Sequence, residues 1–212
     1  MFYLLFIAPG LLLSLLASWM VKSAFSRYSK VLTMNGLTGA QAVERMLASA
    51  GVRDVAVERT DGFLSDHYNP LTKKLALSEE VYGSASIAAV GVACHEAGHA
   101  VQHANHYAPM WLRSALVPTA NIGSNIGYAV MMIGLFMNST GMVLAGAVLF
   151  SMVLLFQIVT LPVEFDASSR AKRLAVEYGI VSESERPGNS LRISVASSMT
   201  MRSAIGFTAF EE

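Results

Sequence analysis

The sequence predicts a mainly α-helical membrane protein: three transmembrane helices and a small α+β portion on the cytoplasmic side. Three observations predict it. Hydrophobic residues make up 53% of the 212-residue chain and charged residues only 14%, against about 25% charged in an average soluble domain. Uncharged apolar stretches fall at residues 2–21, 118–137 and 141–163, each about 20 residues or longer and so able to cross a hydrocarbon core of about 30 Å. All 15 Lys and Arg residues lie within 22–113 or 170–212. The positive-inside rule puts both regions on the cytoplasmic face, which three crossings satisfy.

Residues 1–21 read as a membrane anchor. No basic residue precedes the apolar run and no clear small-residue cleavage site follows it, so a retained anchor is expected, with Pro9-Gly10 as a site for a kink. Residues 22–115 are mixed and polar. Within them, 38–50 reads as a helix with Thr38 as N-cap and Gly51 as its stop. Short β-type pieces, VAVER and KKLALS, are separated by the turn pairs Asp61-Gly62 and Asn69-Pro70. Residues 71–78 are expected to form an edge strand that an extended substrate would lengthen. From about Ala85 to His106 the pattern is helical.

Residues 116–163 form a transmembrane hairpin that turns at Asn138–Gly141, with Gly123 and Gly127 as a small-xxx-small pair for close helix approach. Residues 164–186 read as a new polar helix beginning just after Pro162, a position proline favours in the first turn. Residues 187–212 have no clear amphipathic period and no run long enough to span.

Lys+Arg and Asp+Glu are equal at 15 each, so the charge balance gives no reason to expect a nucleic-acid partner. Cys94 is the only cysteine; no internal disulfide can form, and a reducing compartment is allowed. Next to the motif below, it reads as a small buried residue. The five histidines are His67, His95, His99, His103 and His106, four of them between 95 and 106.

Residues 95–99 read His-Glu-Ala-Gly-His, an H-E-x-x-H pattern. On a helix the two histidines lie on one face a turn apart, where each gives one nitrogen to a single Zn²⁺. Glu96 projects beside that ion and is the candidate catalytic residue, taking a proton from a zinc-bound water. The pattern also occurs by chance on helices with surface histidines. Here the preceding IAAVGVAC run is apolar, and burying two His and a Glu costs several kcal/mol unless they are paired or metal-bound.

A catalytic zinc needs a third protein ligand. Glu164 is the best candidate, with capping of its own helix as the alternative role. Asp166 is the rival; being two residues on, it does not share Glu164's face, and it reads as an outer, supporting group. His103 lies about 12 Å along the helix from His95, too far to join the same ion, but four residues beyond His99 it is a candidate for shaping the site or contacting substrate. His67 is a candidate for substrate positioning or oxyanion stabilisation. Arg170 and Tyr178 are further candidates for polarising a carbonyl.

Taken together, His95–Gln102, the upstream Leu64-Ser65-Asp66-His67-Tyr68 and the downstream Pro162–Ser168 resemble the YugP-like bacterial neutral zinc metallopeptidases, over about residues 1–185. The resemblance implies a membrane zinc peptidase distantly similar to the HtpX and CAAX-protease type. It implies a zincin-like HExxH helix, zinc ligands His95, His99 and Glu164, and Glu96 as the catalytic residue. The chain departs from the family at 187–212, where a further hydrophobic segment is usual.

The expected reaction is peptide hydrolysis near the cytoplasmic membrane face of a bacterium, with a protein or peptide substrate and the lipid bilayer as partners. The alternative is a zinc-binding membrane scaffold or sensor without proteolysis. Glu96 separates the two, since a purely structural site has no use for it.

Overall fold

The computed structural model describes residues 2–182 and residue 185. The reading of the tail at 187–212 therefore lies outside the described residues. The described chain is mainly helical, with one three-stranded sheet. It falls into two compact units, one formed by residues up to Val101 together with those from Ala167, the other by Gln102–Asp166.

In the first unit, α1 (Phe2–Tyr28) runs through Pro9-Gly10 without a break and extends beyond the expected anchor. Its apolar composition exceeds what the protein can cover: Leu12, Leu13, Leu15, Leu16 and Trp19 are exposed, while Val21 and Phe25 are buried. Phe25 meets Phe63 edge to face, with ring centroids 5.6 Å apart. Helix α2 (Gly39–Ser49) starts as its sequence dictates. Thr38 accepts from the Gln41 N–H, and the Gln41 side chain accepts from the Thr38 N–H, a complete capping box. Arg45 on this helix donates to the Tyr178 carbonyl at 2.9 Å, and Asn35 donates to the Gly179 carbonyl at 2.8 Å. These bonds tie the segment after residue 177 to the start of the mixed region.

The sheet has strands β1 (Ala56–Thr60), β2 (His67–Asn69) and β3 (Lys74–Ser78) in the order β1-β3-β2. β1 pairs parallel with β3, and β2 pairs antiparallel with it. The expected edge strand at 71–78 is thus the central one. Leu75, Ala76, Leu77 and Ser78 are all buried, as befits a strand flanked on both sides. The short β2 was not anticipated; its three residues are too few to carry a period.

Asp66 stands at the entry to β2. It is buried and accepts from both the Ser78 N–H, at 2.8 Å, and the Ser78 hydroxyl, at 3.1 Å. That link fastens the turn after Gly62 to the end of β3. The short helix α3 (Glu79–Tyr82) leads into α4 (Ile87–Ala104). Residues 88–100 of α4 are all buried, which accounts for the apolar run before the histidines.

In the second unit, α5 (Ala108–Phe136) begins earlier than the apolar stretch at 118, with Pro109 in its first turn. α6 (Thr140–Glu177) follows a tight turn in which Asn138 takes a left-handed φ of 52°. The backbones of α5 and α6 approach closely: a Cβ on Gly123 would lie 2.5 Å from the Leu149 carbonyl oxygen, and one on Gly127 2.8 Å from the Phe150 nitrogen. The small-xxx-small reading of this pair therefore has a direct structural counterpart. Among the described residues, one helix, α6, is long and apolar enough by length and composition to cross a membrane.

The expected new helix at 164 does not start there. α6 is continuous through Pro162. Proline lacks an N–H to give the preceding turn, but a long helix tolerates that loss where other donors serve the affected carbonyls.

Burial raises the Asp66 pKa above 3.8, against the lowering effect of its Ser78 hydrogen bonds. A raised folded-state value means that Asp66 favours the folded state most below 3.8, and that this contribution is lost as pH climbs through the raised value. Asp66→Asn carries no such loss. Chemical unfolding at a series of pH values is expected to show the wild type losing ground to the variant as pH rises from 3.8. A wild type that gains ground over that range contradicts the assignment.

Candidate metal centre

His95, Glu96 and His99 project from the most deeply buried part of α4, their exposures being 0%, 1% and 6%. The His95 and His99 rings meet edge to face, with centroids 4.8 Å apart and planes at 86°. This is the arrangement that an i, i+4 pair makes on one helix face. The residue between them that matters for packing is Gly98. A Cβ there would stand 2.7 Å from the Ala167 carbonyl oxygen, inside any tolerable contact, so only glycine lets the α6 backbone come this near. The residue following Ala167 then reaches the histidine: Ser168 Oγ lies 3.2 Å from His95 Nδ1.

In the second unit, the last turn of α4 meets the turn of α6 that contains Glu164. Gln102 is buried, and its Nε2 donates to the Val163 carbonyl at 2.9 Å and to Asp166 Oδ2 at 2.8 Å. Asp166 therefore holds Gln102. Glu164 is 3% exposed.

His95, His99 and Glu164 each offer one ligand atom, and these atoms lie within 4.8 Å of one another. Around a tetrahedral ion with bonds of about 2.0–2.1 Å, ligand atoms stand roughly 3.4 Å apart. The chemistry of the donors also fits zinc: two imidazoles and one carboxylate make a three-ligand set that leaves a position open for water. Without a cation, a buried carboxylate beside two imidazoles would carry a desolvation penalty of several kcal/mol.

His103 packs edge to face on Trp111, with centroids 5.1 Å apart, and His106 stacks near the same ring at 6.4 Å. His67 is exposed, and its Nδ1 lies 2.8 Å from the Ser65 carbonyl oxygen. Arg170 is half-buried and lies about 240° around α6 from Glu164 at 100° per residue. The Tyr178 carbonyl serves Arg45. His67, His103 and His106 do not belong to the group of ligand atoms that His95, His99 and Glu164 form. Cys94 is buried, and burial pushes its thiol up to about 12, which leaves it a neutral packing residue.

Sequence reasoning missed Gln102 and Ser168. Both were inside quoted motifs, but a neutral amide and a hydroxyl carry no ligand signal. The available clue was spacing: Ser168 is four residues beyond Glu164, hence on the same face of α6.

A family described as "Putative neutral zinc metallopeptidase" matches residues 3–205. The chain is 40% identical over 196 residues to the "Putative membrane protease YugP" of Bacillus subtilis (strain 168), an alignment covering 92% of this chain and 87% of that protein. No solved structure matches.

Gly98→Ala places a methyl group against the Ala167 carbonyl, and overpacking of this kind costs about 1–3 kcal/mol. Denaturant unfolding in detergent is expected to show that loss. Gly83→Ala is the control, because the nearest atom to a Cβ there is 4.0 Å away. Equal stability of the two variants contradicts the close-approach argument.

Proposed function

The chain belongs to the neutral zinc metallopeptidase family, and on that premise we propose that it hydrolyses peptide bonds of proteins or peptides at the cytoplasmic face of a bacterial membrane. The observation that carries this reading is the convergence of His95, His99 and Glu164 ligand atoms beside a buried Glu96. In the proposed assignment His95, His99 and Glu164 hold zinc. Bound zinc supplies Lewis acidity to the scissile carbonyl and to water.

Glu96 does the proton work. It accepts a proton from the attacking water and delivers it to the nitrogen of the departing amine, so the carboxylate is restored at the end of the cycle. Its burial keeps competing bulk water away, which strengthens electrostatic interactions at the reacting centre. Gln102 and Asp166 support the turn of α6 that presents Glu164. His67, His103 and Arg170 have no step in this scheme.

The proposed topology has three crossings, by α1, by α5 and by α6 as far as the Glu164 turn. Large aliphatic side chains left exposed on these helices support it, among them Leu13, Leu16, Ile122, Ile126, Leu144 and Val148. So does the lack of any basic residue between Arg113 and Arg170. The catalytic portion, 22–115, and the residues after 164 then share the cytoplasmic side. A zinc-binding scaffold or sensor is the second reading, and Glu96 is the feature against it.

Two experiments test this reading. Glu96→Gln is expected to bind one equivalent of zinc by elemental analysis while peptide cleavage falls by about 10²–10⁴-fold. Undiminished cleavage refutes the assignment of Glu96. For topology, Cys94 is buried, so introduced cysteines are read against a quiet background. Thr140→Cys is expected to react with a membrane-impermeant maleimide in intact cells, and Ser26→Cys only after permeabilisation. The reverse pattern overturns the orientation.

A further inference from the structure

We infer that Ser168 is a positioning residue that fixes the ring orientation and tautomer of His95. The inference rests on the reading above in which His95 binds the metal. An imidazole that ligates through one nitrogen has its other N–H free to rotate the ring out of register unless an acceptor holds it. Ser168 meets the His95 ring at this nitrogen: its Oγ lies 3.2 Å from Nδ1. With Nδ1–H donating to that hydroxyl, Nε2 is left as the lone-pair nitrogen for the ion. The alternative tautomer would put a proton on the nitrogen that must ligate.

The backbone explains why a serine stands there. Glu164 and Ser168 are four residues apart on α6, as His95 and His99 are on α4, and both pairs are on adjoining turns of continuous helices. Gly98 admits the Ala167 carbonyl at a distance no side chain permits, and that approach brings the next residue within reach of the ring. A hydroxyl is the smallest side-chain acceptor. It is also neutral, so it orients the imidazole without adding a further anion to the buried carboxylates Glu96 and Glu164.

The test compares zinc affinity, by chelator competition, in purified full-length protein carrying Ser168→Ala, Ser168→Thr or His95→Ala. Loss of an outer hydrogen bond of this kind lowers metal affinity by about 10–100-fold. Ser168→Ala is expected to fall in that range, Ser168→Thr to recover most of the loss, and His95→Ala to lose tight binding. The cobalt-substituted Ser168→Ala protein is expected to show altered visible ligand-field bands, a signature of changed ligand geometry that loss of packing alone does not move. Unfolding of the metal-free Ser168→Ala protein is expected to match wild type.

If Ser168→Ala binds zinc within about twofold of wild type with an unchanged cobalt spectrum while His95→Ala fails to bind, the inference is wrong and the ligand assignment stands. If His95→Ala binds as wild type does, the ligand assignment itself is wrong, and the role of Ser168 goes with it. If metal-free Ser168→Ala is destabilised and Ser168→Thr does not restore affinity, the serine is structural only.

Discussion

The approach of two backbones at Gly98 sets the geometry on which the candidate centre depends. Most helix pairs stay 8–10 Å apart because side chains stand between them. Here the Ala167 carbonyl occupies the space where a side chain on residue 98 would begin. The contact between Ser168 and His95 follows from that spacing. Ser168 reaches His95 with the shortest of side chains, and Gln102 spans to the Val163 carbonyl and Asp166. A larger residue at 98 would push the Ala167 backbone away and lengthen the contact between Ser168 and His95.

The second constraint is electrostatic. Residues 88–100 of α4 are buried, and a soluble core would fill such a stretch with aliphatic side chains. Two imidazoles and a carboxylate stand there instead, with a second carboxylate from α6. Such groups are retained inside proteins when they are paired with one another, hydrogen-bonded or bound to an ion. A divalent cation among these donors offsets the charge of the carboxylates and satisfies both ring nitrogens. The membership of a zinc peptidase family and the geometry of the donors therefore point the same way from independent starting points.

How much of this was legible in the sequence depends on how far each signal reaches along the chain. Local signals read well: the capping box at Thr38, the helix through His95 and His99, and the turn at Asn138 are each fixed within a few residues. Glu164 was legible because a metal centre must have a third donor and few acidic residues lie in the apolar half of the chain. Long-range pairing was not. Whether residues 74–78 form an edge or the centre of a sheet depends on β1 and β2, strands of five and three residues, and the parallel partner of β3 leaves no pattern in β3 itself. The continuity of α6 was also missed, because Pro162 is a common helix start and nothing local tells a start from an interior position. Ser168 and Gln102 were silent because their importance lies in what faces them.

Cys94 brings a different consequence. Its neighbour in sequence is a candidate zinc ligand, and a thiolate there would compete for the ion and attract copper and other soft metals. Burial keeps the sulfur protonated, with its pKa pushed up to about 12, and a protonated thiol is a poor nucleophile and a poor ligand. Peroxide and disulfide exchange act on the thiolate, so they find almost none to attack. Burial thereby shelters the Cys94 sulfur from these reagents.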